Sequence, residues 1–321
     1  LFGRELNEDR MTNRFDRHAQ GVYIIAATPF HADGRLDDES IDRLVDFYLE
    51  KEVSGITILG MMGEAPKLSG EESRMVISRV LARVAGQVPV VVGVSNGGLD
   101  NLADLAHFAM ECGAAGVMVA PFSSQKTETL LYDYFDAVCE ALGPDVPLCY
   151  QDFPLATGVH ISPACFQRMV GDFDQLVMLK HEDWPGLGKL SRIRAAERDE
   201  GTRRVSILCG NGGLYLPQEL ARGADGAMTG FAYPEMLVQV CRLHRAGEVD
   251  AAEDLFDIYL PLVRHEQQPG FGLALRKEIL RRRGVISTAV TRRPGPRLSA
   301  QDHAELDRMM ARLEVRLGGV S

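Results

Sequence analysis

Short apolar runs alternate with longer segments of helical periodicity along most of the chain. Most of these runs are apolar throughout rather than alternating, which is typical of parallel strands that are covered on both faces. Eight such runs are Val22–Ala27, Gly55–Leu59, Val88–Val94, Ala115–Ala120, Val146–Tyr150, Leu176–Lys180, Val205–Cys209 and Gly223–Met228. The segments between them carry helix-start signals, such as the capping-box sequence that begins at Ser69 and ends at Glu72.

Eight strand–helix units in one chain predict an α/β fold, the (β/α)8 TIM barrel. A doubly wound open sheet is the alternative architecture, and it would need a glycine-rich phosphate-binding turn after the first strand. That position reads Thr28-Pro29-Phe30-His31 instead, which favours the barrel.

The chain divides into three parts around this predicted barrel. We expect residues 21–231 to form the barrel and residues 1–20, a charged segment, to be a flexible or loosely docked lead-in. Residues 232–321 exceed one closing helix and predict a helical extension packed on the barrel. Its predicted helices are Glu235–Arg245, Asp250–His265, Gly270–Arg283 and Ser299–Leu317.

Charge and composition narrow the range of partners. The 321 residues carry a formal net charge of −10, which argues against a nucleic-acid surface because such surfaces need clustered Lys and Arg. No apolar run approaches the roughly 20 residues that cross a bilayer, and the N-terminus lacks the apolar core of a signal peptide. We therefore expect no membrane partner and a cytoplasmic location. The six cysteines and eight histidines show no metal-ligand spacing, so we expect neither a metal nor another cofactor.

Lys180 is the strongest candidate for chemistry, because the active site of such a barrel lies at the carboxyl ends of its strands. It directly follows the apolar run Leu176–Leu179. A lysine aimed into a barrel loses hydration, which favours the neutral amine that attacks a ketone. The resulting iminium stabilises a carbanion on the neighbouring carbon. A strand-end lysine that reaches solvent is the alternative reading, and Lys67 and Lys126 in the top loops are the competing amines.

Other strand ends supply candidate partners for this lysine. Tyr150 could relay protons, or it could be a core tyrosine with a hydrated hydroxyl. The turn Gly60–Gly63 could hold a carboxylate with its backbone N–H groups, or it could be an ordinary tight turn. The loop Gly210–Gly213 could approach a ligand closely or cradle a phosphate. Candidate substrate contacts are Thr28, Met61, Met62, Gly63, Gln151, His181, Gly210, Asn211 and Thr229.

The order and spacing of several short motifs resemble the dihydrodipicolinate synthase / N-acetylneuraminate lyase family, from about Gly21 to the C-terminal helices. The motifs are Thr28-Pro29-Phe30, Gly60-Met61-Met62-Gly63-Glu64 with Leu68, Pro121-Phe122, Tyr150 with Pro154 and Thr157-Gly158, Leu179-Lys180, and Gly223-Ala224-Asp225-Gly226. The resemblance implies a barrel, a small-molecule 2-oxo acid substrate, and a homo-oligomer that is a dimer or a tetramer. It also implies a Schiff-base lysine at Lys180, a proton-relay tyrosine at Tyr150 and a carboxylate site at Gly60–Gly63.

The chain departs from this family pattern in three places. Met61 and Met62 replace the hydroxyl residues that the family carries between its glycines, which leaves backbone N–H donors there. The synthase has a second tyrosine after the proline that ends strand four, whereas this chain continues with Phe122 and Ser123. Ala156 stands where the synthase uses an arginine to hold its second substrate. These departures argue against dihydrodipicolinate synthase activity.

Three further segments resemble the 2-keto-3-deoxy sugar-acid dehydratases, particularly the L-2-keto-3-deoxyarabonate type. They are Tyr150–Pro154, Gly226–Gly230 and His265–Gln267. This resemblance implies the same lysine imine followed by loss of water. An aldolase that breaks a carbon–carbon bond and a non-catalytic 2-oxo-acid binding protein remain the alternatives.

Overall fold

Eight parallel strands form a closed barrel in which each strand pairs with the next along the chain and β8 pairs with β1. A computed structural model describes residues 14–184 and 186–318. The strands are β1 (Gly21–Ile25), β2 (Gly55–Ile58), β3 (Val90–Gly93), β4 (Gly116–Val119), β5 (Leu148–Asp152), β6 (Leu176–His181), β7 (Ser206–Cys209) and β8 (Gly226–Ala227). The eight apolar runs thus mark the eight strands, and the predicted TIM barrel is confirmed.

Helices surround the barrel and follow it. Those between strands are α1 (Asp38–Glu50), α2 (Gly70–Val84), α3 (Leu99–Glu111), α4 (Glu128–Leu142), α5 (Pro154–Thr157), α6 (Pro163–Asp172), α7 (Leu187–Asp199) and α8 (Leu216–Ala221). After β8 come α9 (Pro234–Arg245), α10 (Val249–Glu266), α11 (Gly272–Arg282) and α12 (Ala300–Gly318). The capping box predicted at Ser69 is present, since its hydroxyl accepts from the Glu72 amide and the Glu72 carboxylate accepts from the Ser69 amide. Among the described residues no helix is long and apolar enough to cross a membrane.

The strands bury two separate layers of side chains, because successive residues of a strand point to opposite faces. One layer fills the inside of the barrel and the other packs between the strands and the helices. The inner layer includes Tyr23, Ile25, Val91, Met118, Cys149, Met178, Leu208 and Met228. The alternation then carries Gln151 and Lys180 to the inside as well, two residues beyond Cys149 and Met178. These two residues are paired neighbours in the β5–β6 register.

The end of the expected flexible lead-in is docked rather than free. The Phe15 side chain is buried in the inner layer, and its amide donates to the carbonyl of Ala115 at the start of β4. The Ser206 hydroxyl at the start of β7 donates to the Ala19 carbonyl. The expectation of flexibility is therefore wrong for residues 14–20, which close the amino-terminal end of the barrel. Residues 1–13 lie outside the described part of the chain.

The four helices predicted for the C-terminal extension are all present. The segment between the last two, residues 284–299, runs back over the carboxyl end of the barrel, and we call it the strap. Its Thr288 hydroxyl donates to the Phe30 carbonyl, and the Arg292 guanidinium pairs with Glu72 of α2. These contacts attach the extension beside the loop that follows β2. That loop is part of the candidate site described next.

Candidate active site

Lys180 and Glu182 form an ion pair inside the barrel. Their Nζ and Oε2 atoms lie 2.7 Å apart, and their side chains are only 6% and 7% exposed. The two residues are two positions apart at the end of β6, so both side chains point inward. The site therefore combines an amine with a carboxylate that can exchange a proton with it directly.

Neighbouring loops hold the Glu182 carboxylate in place. Gln151 donates from Nε2 to Oε2 at 2.8 Å, and the Asn211 amide donates to Oε1 at 3.4 Å. The Asn211 side chain also donates to the backbone carbonyl of Glu182 at 3.2 Å. Gly210 is required here, because a Cβ at that position would lie 2.2 Å from Cγ of Glu182.

Neither competing lysine lies inside the barrel. Lys67 donates from Nζ to Glu64 at 2.9 Å and to the Arg292 carbonyl at 2.8 Å, which fixes it against the strap. Lys126 is exposed in the loop after β4. The geometry thus favours Lys180 as the amine that a bound ketone would meet.

Tyr150 lies on the opposite face of β5 from Lys180. Its ring packs between the barrel and the helices, with its centroid 4.8 Å from that of Phe135 and 6.0 Å from that of Phe166. Its hydroxyl is buried without a hydrogen-bond partner in the described structure, and burial raises the pKa of this phenol well above its ordinary value. The structure therefore does not bring Tyr150 to the site, and the expected proton relay is wrong. The inward position beside Lys180 carries Gln151.

The turn after β2 has the shape expected of a carboxylate site. Met61–Gly63 forms a single 3-10 turn that closes with a bond from the Gly63 amide to the Gly60 carbonyl. The N–H groups at the start of such a turn have no partner within it, so those of Met61 and Met62 are available to an anion. The Thr28 hydroxyl donates to the Gly63 carbonyl at 2.6 Å. Thr28 thus supports the turn, which we call the cradle (Gly60–Gly63).

The loop after β7 contacts Glu182 and has no free backbone N–H group for a phosphate among its four residues Gly210–Gly213. Its four amides already have partners: Gly210 donates to the His181 carbonyl, Asn211 to Glu182, Gly212 to the Thr229 hydroxyl at 2.7 Å, and Gly213 to the Gly210 carbonyl. The nearby Glu182 carboxylate would also repel a phosphate. These bonds argue against phosphate binding at this loop, and Thr229 holds the loop through the hydrogen bond that its hydroxyl accepts from Gly212.

A second polar cluster lies behind the site, on the outer face of β5 and β6. Lys189 donates from Nζ to Asp152 at 2.5 Å, and His181 Nδ1 lies 3.7 Å from the same carboxylate. Burial lowers the pKa of His181, but the hydrogen bond and charge of Asp152, together with the Gly186 carbonyl and Glu219, raise the pKa overall. Burial also raises the pKa of Glu219 to about 7, against the opposing effect of His181. His181, a candidate substrate contact, therefore belongs to the packing behind the site.

Two cavities open at the carboxyl end of the barrel. The larger, about 1010 Å³, is lined by the cradle methionines Met61 and Met62, by α5 and by Trp184 and Asn211. The smaller, about 660 Å³, contains Gln151 and also holds Phe122 and Ser123. The place expected for the second tyrosine of the synthase is thus part of an open cavity in this chain. The described residues include no group of three or more His, Cys, Asp or Glu arranged to hold a metal ion.

A closed barrel with a buried lysine and carboxylate at the carboxyl end of β6 has the architecture of a TIM-barrel enzyme. Residues 18–313 match the dihydrodipicolinate synthetase family, and the chain belongs to that family. The protein is accordingly a lyase of this family.

Several relatives are similar over most of the chain. The L-2-keto-3-deoxyarabonate dehydratase of Azospirillum brasilense is 30% identical over 308 residues, which cover 95% of this chain and 97% of the relative. A 4-hydroxy-tetrahydrodipicolinate synthase of Thermus thermophilus is 35% identical over 231 residues, which cover 71% of this chain and 75% of the relative. The crystal structure of a dihydrodipicolinate synthase from Rhodopseudomonas palustris superposes with a TM-score of 0.92, at 47% identity, over 94% of this chain and 99% of that one.

The structure adds one residue that the sequence analysis missed. Glu182 received no role, although its spacing of two from Lys180 was a readable signal that both point inward. The predicted residues that the structure brings together around this carboxylate are Lys180, Gln151, Gly210 and Asn211.

Proposed function

We propose that this protein is a 2-keto-3-deoxy sugar-acid dehydratase that acts through a Schiff base on Lys180. The observation that carries the proposal is the buried Glu182 carboxylate 2.7 Å from Lys180 Nζ. The similarity to the Azospirillum dehydratase along nearly the full length of both chains supports the same reaction class.

The substrate carboxylate would bind the free N–H groups of Met61 and Met62 in the cradle. The Lys180 side chain is 6% exposed, and Gln151 lines the smaller cavity together with Gly60 and Met61 of the cradle. We expect a ketone bound in this cavity to approach the amine past Gln151, which is the neighbour of Lys180 in the β5–β6 pairing. Such an approach would bring C2 of a 2-oxo acid to Lys180 while its carboxylate is held, which is the orientation that imine formation requires.

The reaction then follows from the lysine and the carboxylate together. The Lys180 amine adds to C2, and the carbinolamine loses water to give an iminium. Glu182 takes a proton from C3, and the electron pair forms an enamine. The enamine expels the hydroxyl of C4, which takes the proton from Glu182 and leaves as water. Addition of water to the imine carbon later releases the product and restores the lysine.

The inward residue of β5 favours loss of water over cleavage of the carbon–carbon bond. Retro-aldol cleavage needs a base that removes the proton of the C4 hydroxyl, which is the role we had expected of a tyrosine. The position beside Lys180 is occupied by Gln151 instead. A side-chain amide neither gives nor takes a proton at neutral pH. Dehydration needs a group beside C3 that serves first as base and then as acid, and Glu182, which lies 2.7 Å from the lysine nitrogen, can serve as both. For cleavage, Glu182 would instead have to reach the C4 hydroxyl.

Trapping with borohydride tests the imine. Pyruvate and sodium borohydride should add a single mass adduct to the wild-type chain, and Lys180→Ala should abolish it. Lys126→Ala is the matched control, because that lysine is exposed and away from the barrel interior. A wild-type chain that gives no adduct with any 2-oxo acid tested would show a non-catalytic binding protein instead.

Product analysis with a panel of 2-keto-3-deoxy sugar acids tests which bond breaks. Loss of water from a five-carbon acid should give an unsaturated 2-oxo acid that tautomerises to a semialdehyde, whereas retro-aldol cleavage gives pyruvate. Pyruvate as the main product would overturn the dehydratase assignment and leave the imine intact. The family is typically oligomeric, so we also propose a dimer or tetramer in solution, which light scattering can measure.

A further inference from the structure

Lys277 of α11 is an ammonium buried in the C-terminal extension. Its side chain is 0% exposed, and its Nζ donates to Glu64 Oε1 at 2.6 Å and to the Val290 carbonyl at 2.8 Å. The same nitrogen lies 4.5 Å from the centre of the Phe30 ring. A buried charge is tolerated only when it is paired and hydrogen-bonded, and Lys277 meets both conditions.

Glu64 connects this lysine to the cradle. It follows Gly63 directly, has the left-handed φ of +55°, and donates from its amide to the Met61 carbonyl. Its second carboxylate oxygen accepts from Lys67 Nζ at 2.9 Å and from the Arg292 amide at 2.9 Å. Glu64 is thus bound through its backbone to the cradle and through its side chain to α11 and the strap.

We propose that Lys277 and Glu64 form a positioning pair that holds the cradle in its carboxylate-binding geometry. The inference rests on the proposed function, since it takes the cradle as the site of the substrate carboxylate. In this view the C-terminal extension is part of the binding site, because α11 supplies one of the charges on which affinity for the 2-oxo acid depends.

Charge balance around Glu64 supports this role. Its carboxylate faces two ammonium groups, those of Lys277 and Lys67. Glu64 and the two lysines together therefore carry a net positive charge beside the cradle. Lys67 is 26% exposed and is therefore partly screened by water, whereas Lys277 is not. Without Lys277, a poorly compensated carboxylate would remain buried one residue from the cradle and would repel an incoming anion.

The test compares Lys277→Met, alone and combined with Glu64→Gln, with the wild type in the full-length protein. The measured quantity is the pyruvate concentration that gives half-maximal borohydride trapping on Lys180. We expect it to rise on the order of tenfold in Lys277→Met, since the buried Glu64 carboxylate is then left with the partly water-screened Lys67 and the Arg292 amide as its partners. Trapping at saturating pyruvate should still reach the wild-type extent. The double variant Lys277→Met with Glu64→Gln removes the carboxylate together with its partner, so it should fold even if Lys277→Met does not, and its half-saturating pyruvate concentration should return toward that of the wild type.

Glu278→Gln is the matched control. Glu278 is the next residue of α11 and pairs with Arg281 and Arg282 instead of with the cradle. Its loss should lower thermal stability without moving the half-saturating pyruvate concentration. An equal shift in this control would show that any loosening of α11 weakens binding, and it would overturn the positioning role of Lys277.

The pH dependence of pyruvate affinity shows whether Lys277 acts through its charge or only through its packing. Burial lowers the pKa of Lys277 to about 8, against the opposing influence of Glu64 and with the help of Lys67 and Arg292, the charged groups that face it. The ratio of half-saturating pyruvate between Lys277→Met and wild type should therefore be large at pH 7 and shrink as the pH rises through 8. A ratio near one at pH 7, or one that stays constant with pH, would overturn the proposal. A wild-type protein that traps no pyruvate would instead refute the proposed function.

Discussion

The ammonium of Lys180 and the carboxylate of Glu182 lie 2.7 Å apart at the inner end of β6. Because both side chains come from one strand end, no domain movement is needed to bring the nucleophile and the proton carrier together. Gln151 and Asn211 fix the carboxylate from the two neighbouring strands. The roles of these residues can be separated by experiment.

Glu182→Gln should separate imine formation from proton transfer. The amide keeps the size of the side chain but cannot accept the C3 proton, so turnover should fall by about 10²- to 10⁴-fold. Borohydride should still trap pyruvate on Lys180. The direct readout is exchange of the pyruvate methyl protons in D2O, followed by NMR, which should be slow in the variant. Exchange at the wild-type rate would mean that another group removes the proton.

Gly210→Ala should disturb the same carboxylate by steric means. The new methyl group would lie 2.2 Å from Cγ of Glu182, so the side chain must move away from Lys180. We expect turnover to fall by at least about tenfold, because displacement of a catalytic group by an ångström is costly. Gly171→Ala, in α6 with open space around its Cα, is the control and should keep full turnover. Unchanged turnover in Gly210→Ala would show that the position of Glu182 is not critical.

Tyr150→Phe should leave the enzyme active. The hydroxyl that it removes is buried and finds no acceptor in the described structure, so its loss leaves no partner unsatisfied. The free energy of unfolding should change by less than about 1 kcal/mol. Turnover on a 2-keto-3-deoxy acid should stay close to that of the wild type. A loss of about a hundredfold, typical of a missing general acid or base, would place Tyr150 back in the mechanism.

Glu219 should make stability depend on pH. Its pKa is raised from 4.5 to about 7 by burial, so the folded chain keeps a proton that the unfolded chain releases at lower pH. The stabilisation is therefore complete below pH 4.5 and is lost as the pH rises to about 7. The loss is on the order of 3 kcal/mol. Glu219→Gln should flatten this part of the curve, as measured by urea unfolding between pH 4.5 and 8, and an identical slope in both proteins would contradict the assignment.

The barrel and its lysine could be predicted because they depend on local patterns. Each strand is a short apolar run between helices, and Lys180 ends one of those runs. The cradle was visible as a pair of glycines after β2. These features need no knowledge of which elements meet in space.

The orientation of β5 could not be predicted in the same way. Its residues are buried on both faces, so no alternation of polar and apolar positions shows which side faces inward. The pairing with β6 also shifts by one residue between Leu148 and Cys149. The sequence places Tyr150 beside Lys180 because it ends the apolar run that precedes the lysine, whereas the strand continues to Asp152 and turns Gln151 inward. The Lys277–Glu64 contact joins residues 213 positions apart and leaves no trace in a local pattern.

The docked residues 14–20 give the barrel a closed floor. Phe15 completes the inner layer of side chains at the amino-terminal end, and the two cavities open at the opposite end, which carries the cradle. Substrate and product would therefore enter and leave at the same end of the barrel. Product is therefore a natural competitor of substrate, and its departure past Gln151 and the cradle can limit the pace of turnover as much as the chemistry does.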